Sequence, residues 1–272
     1  MINLRSVKGK RTTSSQRTAS SQRTGSSPAS QGHHAWLAVE PHAPLVQLVS
    51  LLPLVVLYEA AMPFVSDRSH AYHRIDAWSQ WMLSRVGLSA WCLPGLLILL
   101  ALLAAHMVRR DRWDIDAKTV VRLWGEALVG AVPLFVLYLV FTLPVGQLVA
   151  TELQVVVRPA QGLGASIILA IGAGLFEEFV FRLVLVSALL WVLRRWLAVP
   201  SDPAELVAIC LTAAVFASAH FFGPSPKEFT LLAFLFYTAA GIYLGAAFVL
   251  RGFATGAIIH ATFNILLAVM VR

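Results

Sequence analysis

At 272 residues, 58% hydrophobic and only 13% charged, with a mean hydropathy of +0.74, the chain is too apolar for a soluble domain, where about a quarter of residues are charged. Its 21 basic and 14 acidic side chains cannot clothe a water-soluble globule of this length, which leaves a polytopic membrane protein. The net charge of +7 invites a nucleic-acid reading until its placement is seen. Residues 1–34 hold six basic residues (Arg5, Lys8, Lys10, Arg11, Arg17, Arg23) and no acid, leaving 15 basic against 14 acidic elsewhere. The membrane is the expected partner, and nucleic acid is not.

Residues 1–40 form a Ser/Thr/Gln-rich basic tail with almost nothing to bury, expected to be disordered and to act as a solvated leader that sets topology. A basic arm for anionic lipid or nucleic acid is the other reading, although the tail lacks the interleaved aromatics of an RNA binder. Seven stretches then meet the roughly 20-residue requirement for a membrane span: 45–64, 88–108, 123–149, 164–192, 204–222, 230–250 and 253–271. Between the first two, HRIDAWSQWMLSRVG reads as an amphipathic interfacial helix, with room there for an eighth short span. The expected fold is an all-α polytopic bundle of about seven helices, with 41–150 as N-terminal spans and 164–272 as a catalytic domain. Trp36, Trp78, Trp81, Trp91, Trp113, Trp124, Trp191 and Trp196 all fall at or beyond span ends, as interfacial anchors do. Cys92 and Cys210 lie in spans and are expected to behave as small apolar residues without a disulfide. A cytoplasmic N-terminus puts 14 Lys/Arg inside and six outside, which favours that orientation and a plasma (inner) membrane location. No internal repeat is visible.

Charges at membrane depth are costly and normally face a cavity or one another, so they are the first candidates for function. Glu59, His106 and Glu126 are isolated, the last two near span ends where they can snorkel; Glu59 is expected to pair with Arg74 or Arg85, or to line the site. The fourth span differs. GAGLFEEFVFRLVLV sets Glu177, Glu178 and Arg182 mid-helix; Glu178 and Arg182, four apart, share a face, whereas Glu177 is rotated about 100° away. AVFASAHFFGP puts Phe216 and His220 on one face of the fifth, and GAIIHATFNILL puts His260 and Asn264 on one face of the last. Each histidine alone is ordinary interhelical glue; together with paired acids they are the ingredients of a hydrolytic site. A carboxylate in an apolar pocket can take a proton from water and return it to a leaving amine. Imidazole and amide groups can position the water or donate to an oxyanion. The same donors suit Zn²⁺, with Glu177, His220 and His260 recruited first, and a metal-free glutamate mechanism is equally compatible.

EEFVFR, FASAH and HATFN, in that order on three helices, resemble the EExxxR, FxxxH and HxxxN/D motifs of the CAAX prenyl protease and bacteriocin-processing family of intramembrane endopeptidases, type II CAAX prenyl endopeptidase-like. The resemblance covers residues 164–272. It implies that Glu177 is the general base, that His220 holds the water, and that His260 and Asn264 form the oxyanion hole. Glu178 and Arg182 would orient neighbouring groups. The implied substrate is a membrane-associated protein or peptide. Two other classes remain: a non-proteolytic scaffold or immunity-type factor that keeps the pocket, and a proton-coupled transporter using the same groups as a relay. The absence of repeats and the concentration of polar residues in the C-terminal part weigh against the transporter.

Overall fold

The computed structural model describes residues 43–66, 93–142, 162–222 and 229–270. The basic tail, the 73–87 amphipathic stretch, Cys92, Arg74 and Arg85 lie outside them. All regular structure among the described residues is helical: α1 Pro44–Ser66, α2 Leu93–Arg109, α3 Ala117–Thr142, α4 Leu163–Glu178, a π-helical segment Phe179–Val186, α5 Ser187–Arg195, α6 Ser201–Ala219, α7 Leu231–Arg251 and α8 Phe253–Met270. α4, the π segment and α5 form one run, so seven helical runs are described. Five helices (α1, α3, α6, α7 and α8) are long and apolar enough to cross a membrane, and Gly95–Arg109 is a shorter apolar helix. The chain is an integral, multi-pass membrane protein.

The runs begin and end for local reasons. α3 starts at Ala117 rather than 123 because Asp116 caps it, accepting the Lys118 N–H at 3.1 Å. α6 starts at Ser201, with Pro203 in its first turn where no donor is lost. Thr230 caps α7 by accepting the Ala233 N–H. Between α7 and α8 a single residue, Gly252, reverses the chain at φ 89°, a conformation that side chains rarely adopt. The first turn of α8 is completed from another helix: Gln47 Oε1 on α1 accepts the Ala254 N–H at 3.1 Å inside the core. Glu59 does the same for α2, its Oε1 accepting the Gly95 N–H at 3.1 Å, which gives this acid a capping role rather than one at the site. Glu126 joins Arg122 one turn before it (2.9 Å) and Arg251 at the end of α7. His106, expected to snorkel, is buried with its ring edge-on to Trp113 at 4.4 Å.

Pro44 and Gln47 of α1, Arg109 of α2, Arg194 and Arg195 of α5, Glu205 of α6, Phe248 of α7 and Phe253 of α8 line one groove, so these helix ends share one end of the bundle and successive runs alternate in direction. α8 is the central post: it is buried over most of its length and packs most extensively on α4, then on α3 and α7. The outer faces stay apolar, as Val129, Val132, Val136 and Val140 on α3 show. In water such a stripe would be a liability; in lipid it is neutral.

Small residues allow the central helices to meet. A Cβ on Gly174 would stand 2.5 Å from the Ala261 backbone nitrogen, and one on Gly241 would meet Ala213 at 3.0 Å. Gly174→Val is therefore expected to drive α4 from α8 and cost about 1–3 kcal/mol, read as a fall in thermal midpoint in detergent or nanodiscs. Gly164→Val, in open space on the same helix, should leave the midpoint nearly unchanged; equal losses would refute close α4–α8 contact as the cause.

Candidate active site

Five helical runs converge on one small cavity, lined by Leu134 on α3, Glu177 near the end of α4, Phe216 and His220 at the end of α6, Tyr237 on α7, and His260 and Asn264 on α8. Its accessible volume is about 30 Å³, enough for water and far too small for a peptide. Phe236, Phe263 and Leu267 make up much of the remaining wall. His220, His260 and Asn264 are buried, and Glu177 is nearly so.

The two imidazoles face the same carboxylate oxygen. His220 Nε2 and His260 Nε2 each lie 3.9 Å from Glu177 Oε2. Their other nitrogens are engaged behind the cavity. His220 Nδ1 is 2.8 Å from the Phe216 carbonyl oxygen, which can only accept, so Nδ1 carries the proton. His260 Nδ1 is 2.8 Å from Glu178 Oε1 and donates to that carboxylate. In their neutral forms both rings therefore turn an Nε2 lone pair toward Glu177. At 3.9 Å these atoms are too far apart for direct hydrogen bonds and well placed for one water between them.

Behind His260 lies an ion pair with almost no exposure: Arg182 Nη1 is 3.0 Å from Glu178 Oε1, and the side chains are 2% and 1% exposed. The contact has ion-pair distance without hydrogen-bond alignment, and Glu178 Oε2 has no hydrogen-bond partner among the described residues. Arg182 also donates to the Gly241 carbonyl at 3.4 Å and places its guanidinium 4.4 Å above the Phe216 ring. Phe216 is thus a hub, with edge contacts to Phe181 (5.2 Å), His220 (4.8 Å) and His260 (6.2 Å).

Two features had no signal in the sequence. Tyr237 stacks flat on His220, with centroids 3.9 Å apart and planes 18° off parallel; in FLFYTAAG nothing separates it from neighbouring aromatics. The π-helical segment starts directly after Glu178 and contains Arg182. Such segments recur at functional sites because the widened turn re-aims side chains.

Glu177, His220 and His260 were also the conditional metal donors. Among the described residues no three His, Cys, Asp or Glu side chains are drawn together as a metal-ligand set.

Residues 159–266 match the family model described as type II CAAX prenyl endopeptidase Rce1-like. This part of the chain is similar to that family. The Rce1-like segment takes in all six polar residues, together with Phe216 and Tyr237. No curated protein and no solved structure matches the chain. The similarity supports a membrane-embedded endopeptidase of the CAAX type in general terms and points to membrane-associated substrates. The N-terminal helices α1–α3 lie outside the match, although α3 contributes Leu134 to the cavity wall.

Proposed function

We propose that the protein hydrolyses peptide bonds of membrane-associated proteins or peptides with a water activated by Glu177. The supporting observation is the placement of Glu177 Oε2 3.9 Å from both Nε2 atoms in a buried, water-sized cavity. A water there donates one proton toward Glu177 and the other toward His220 Nε2, leaving a lone pair for the scissile carbonyl carbon. Glu177 takes the first proton as the carbon–oxygen bond forms and returns it to the leaving amine as the carbon–nitrogen bond breaks. The Asn264 amide donates to the developing oxyanion. His260 is assigned to the same hole, its ring held in orientation by the Glu178 carboxylate 2.8 Å from Nδ1. Arg182 holds Glu178 in that position. The cavity of about 30 Å³ admits water and not a peptide, so its wall opens before a peptide reaches Glu177.

The basic end of the bundle, with Arg109, Arg110, Arg112, Arg194, Arg195 and Arg251, faces the cytoplasm in this reading. Quantitative comparison of membrane-associated peptides from cells carrying wild-type or Glu177→Ala protein tests the function and identifies the substrate together. Peptides that accumulate uncleaved only in the variant are expected. Full complementation of a deletion strain by Glu177→Ala would instead favour a non-proteolytic factor. Purified wild-type protein stripped of metal should keep its turnover; loss on chelation with recovery on Zn²⁺ addition would refute the metal-free mechanism.

Tyr237 orients His220 through its stacked ring. Tyr237→Phe should retain turnover, whereas Tyr237→Ala removes a stacked ring contact of about 0.5–1.5 kcal/mol and should lower kcat by roughly threefold to tenfold with little change in KM. Equal KM and kcat effects would mean that Tyr237 contacts substrate.

A further inference from the structure

A second cavity, of about 740 Å³, opens at the basic end of the bundle. Its walls include Arg109 from α2, Ser187, Trp191, Arg194 and Arg195 from α5, and Phe248 from α7. Arg194 is paired with Glu205 at 2.5 Å and Arg109 with Asp111 at 3.1 Å, whereas Arg195 makes no ion pair among the described residues. Among the described residues Arg195 is thus the guanidinium of the groove that no carboxylate offsets. From Arg195 the groove descends along one helical run to Leu183, twelve residues and up to roughly 18 Å at 1.5 Å per residue. That is about one leaflet of a hydrocarbon core roughly 30 Å thick.

We propose that this groove binds an anionic phospholipid, with the phosphate held between Arg109 and Arg195 and an acyl chain laid along Trp191, Leu190 and Leu183. Guanidinium forks match phosphate oxygens in pairs. The exposed ring of Trp191, 5.4 Å from that of Trp196, marks the headgroup level. A free phosphate would satisfy the arginines and leave the long apolar wall uncovered. The chain's own N-terminal tail is an unsuitable occupant, because residues 1–34 carry six basic residues and no acid. The deep end of the groove, Leu183, is the residue after Arg182, so a seated acyl chain packs on the π segment that bears the buried ion pair.

The test uses the full chain in nanodiscs of phosphatidylcholine with and without phosphatidylglycerol, followed by native mass spectrometry of retained lipid and thermal midpoints. Phosphatidylglycerol is expected to be retained selectively and to raise the midpoint, and free glycerol phosphate is not. Arg109→Gln/Arg195→Gln should weaken retention roughly 30-fold, each arginine near the surface being worth about fivefold. Arg110→Gln/Arg112→Gln, at the same end but outside the groove lining, should change it little. Ser187→Trp, which fills the groove with no change of charge, should also release the lipid. Equal retention of the neutral lipid, equal loss in the Arg110/Arg112 variant, unaltered binding by Ser187→Trp, or an equal shift with free glycerol phosphate would each overturn the proposal.

Discussion

Glu177→Gln is expected to reduce peptide cleavage by about 10²-fold to 10⁴-fold, the range carried by a positioned acid or base, while leaving the helical content and thermal midpoint close to wild type. The substitution keeps the side chain's volume and removes its ability to take a proton. Glu177 lines the cavity, so an amide of the same shape leaves the packing around it in place. His220→Ala should fall in the same range and destabilise more, because it also removes the Nδ1–H bond to Phe216 and the stacked contact with Tyr237. The measurement is single-turnover cleavage of a membrane-anchored peptide by purified protein in nanodiscs. Undiminished turnover by Glu177→Gln would remove the general base from the scheme.

The second large effect concerns folding. Glu178→Ala is expected to destabilise the protein by about 3–5 kcal/mol, since it strands the Arg182 guanidinium, 2% exposed, without its carboxylate. Burying two charges is itself expensive, so the pair is retained at a cost. Glu178→Leu/Arg182→Met should therefore recover most of the stability lost in the single variant. It should not recover activity, because His260 Nδ1 would still lack its acceptor; a residual deficit of about 10-fold to 100-fold is expected from losing such a supporting contact. Thermal midpoints and cleavage rates measured on the same samples separate the two effects. If the double variant regains full turnover, Glu178 serves packing alone.

Much of the molecule was legible without coordinates. The spans were visible because lipid demands long apolar runs, and the structure moves their ends by a few residues for local reasons such as the Asp116 cap and the Gly252 turn. Glu177, Glu178 and Arg182 stood out because charges at that depth need a reason. The partners of the isolated charges were harder to read. Glu59 caps α2 through a contact 36 residues away in sequence, and Glu126 reaches Arg251 across 125; periodicity carries no information about such distances. Tyr237 was invisible for the same reason, since stacking on His220 is a property of how α6 meets α7.

Composition and hydrophobic patterning by themselves determined that this chain is an all-helical membrane protein, because the solvent imposes that requirement on every span separately. The three polar motifs, being i,i+4 patterns, determined which side chains share a helix face. Only the tertiary structure decided that Glu177 stands equidistant from two imidazoles, that Glu178 and Arg182 withdraw behind His260, and that the cavity admits water before it admits a peptide. Those relations depend on the axial offset and rotation of α4, α6 and α8, set by contacts such as Gly174 on Ala261 and Gly241 on Ala213. No pattern within a single helix records them.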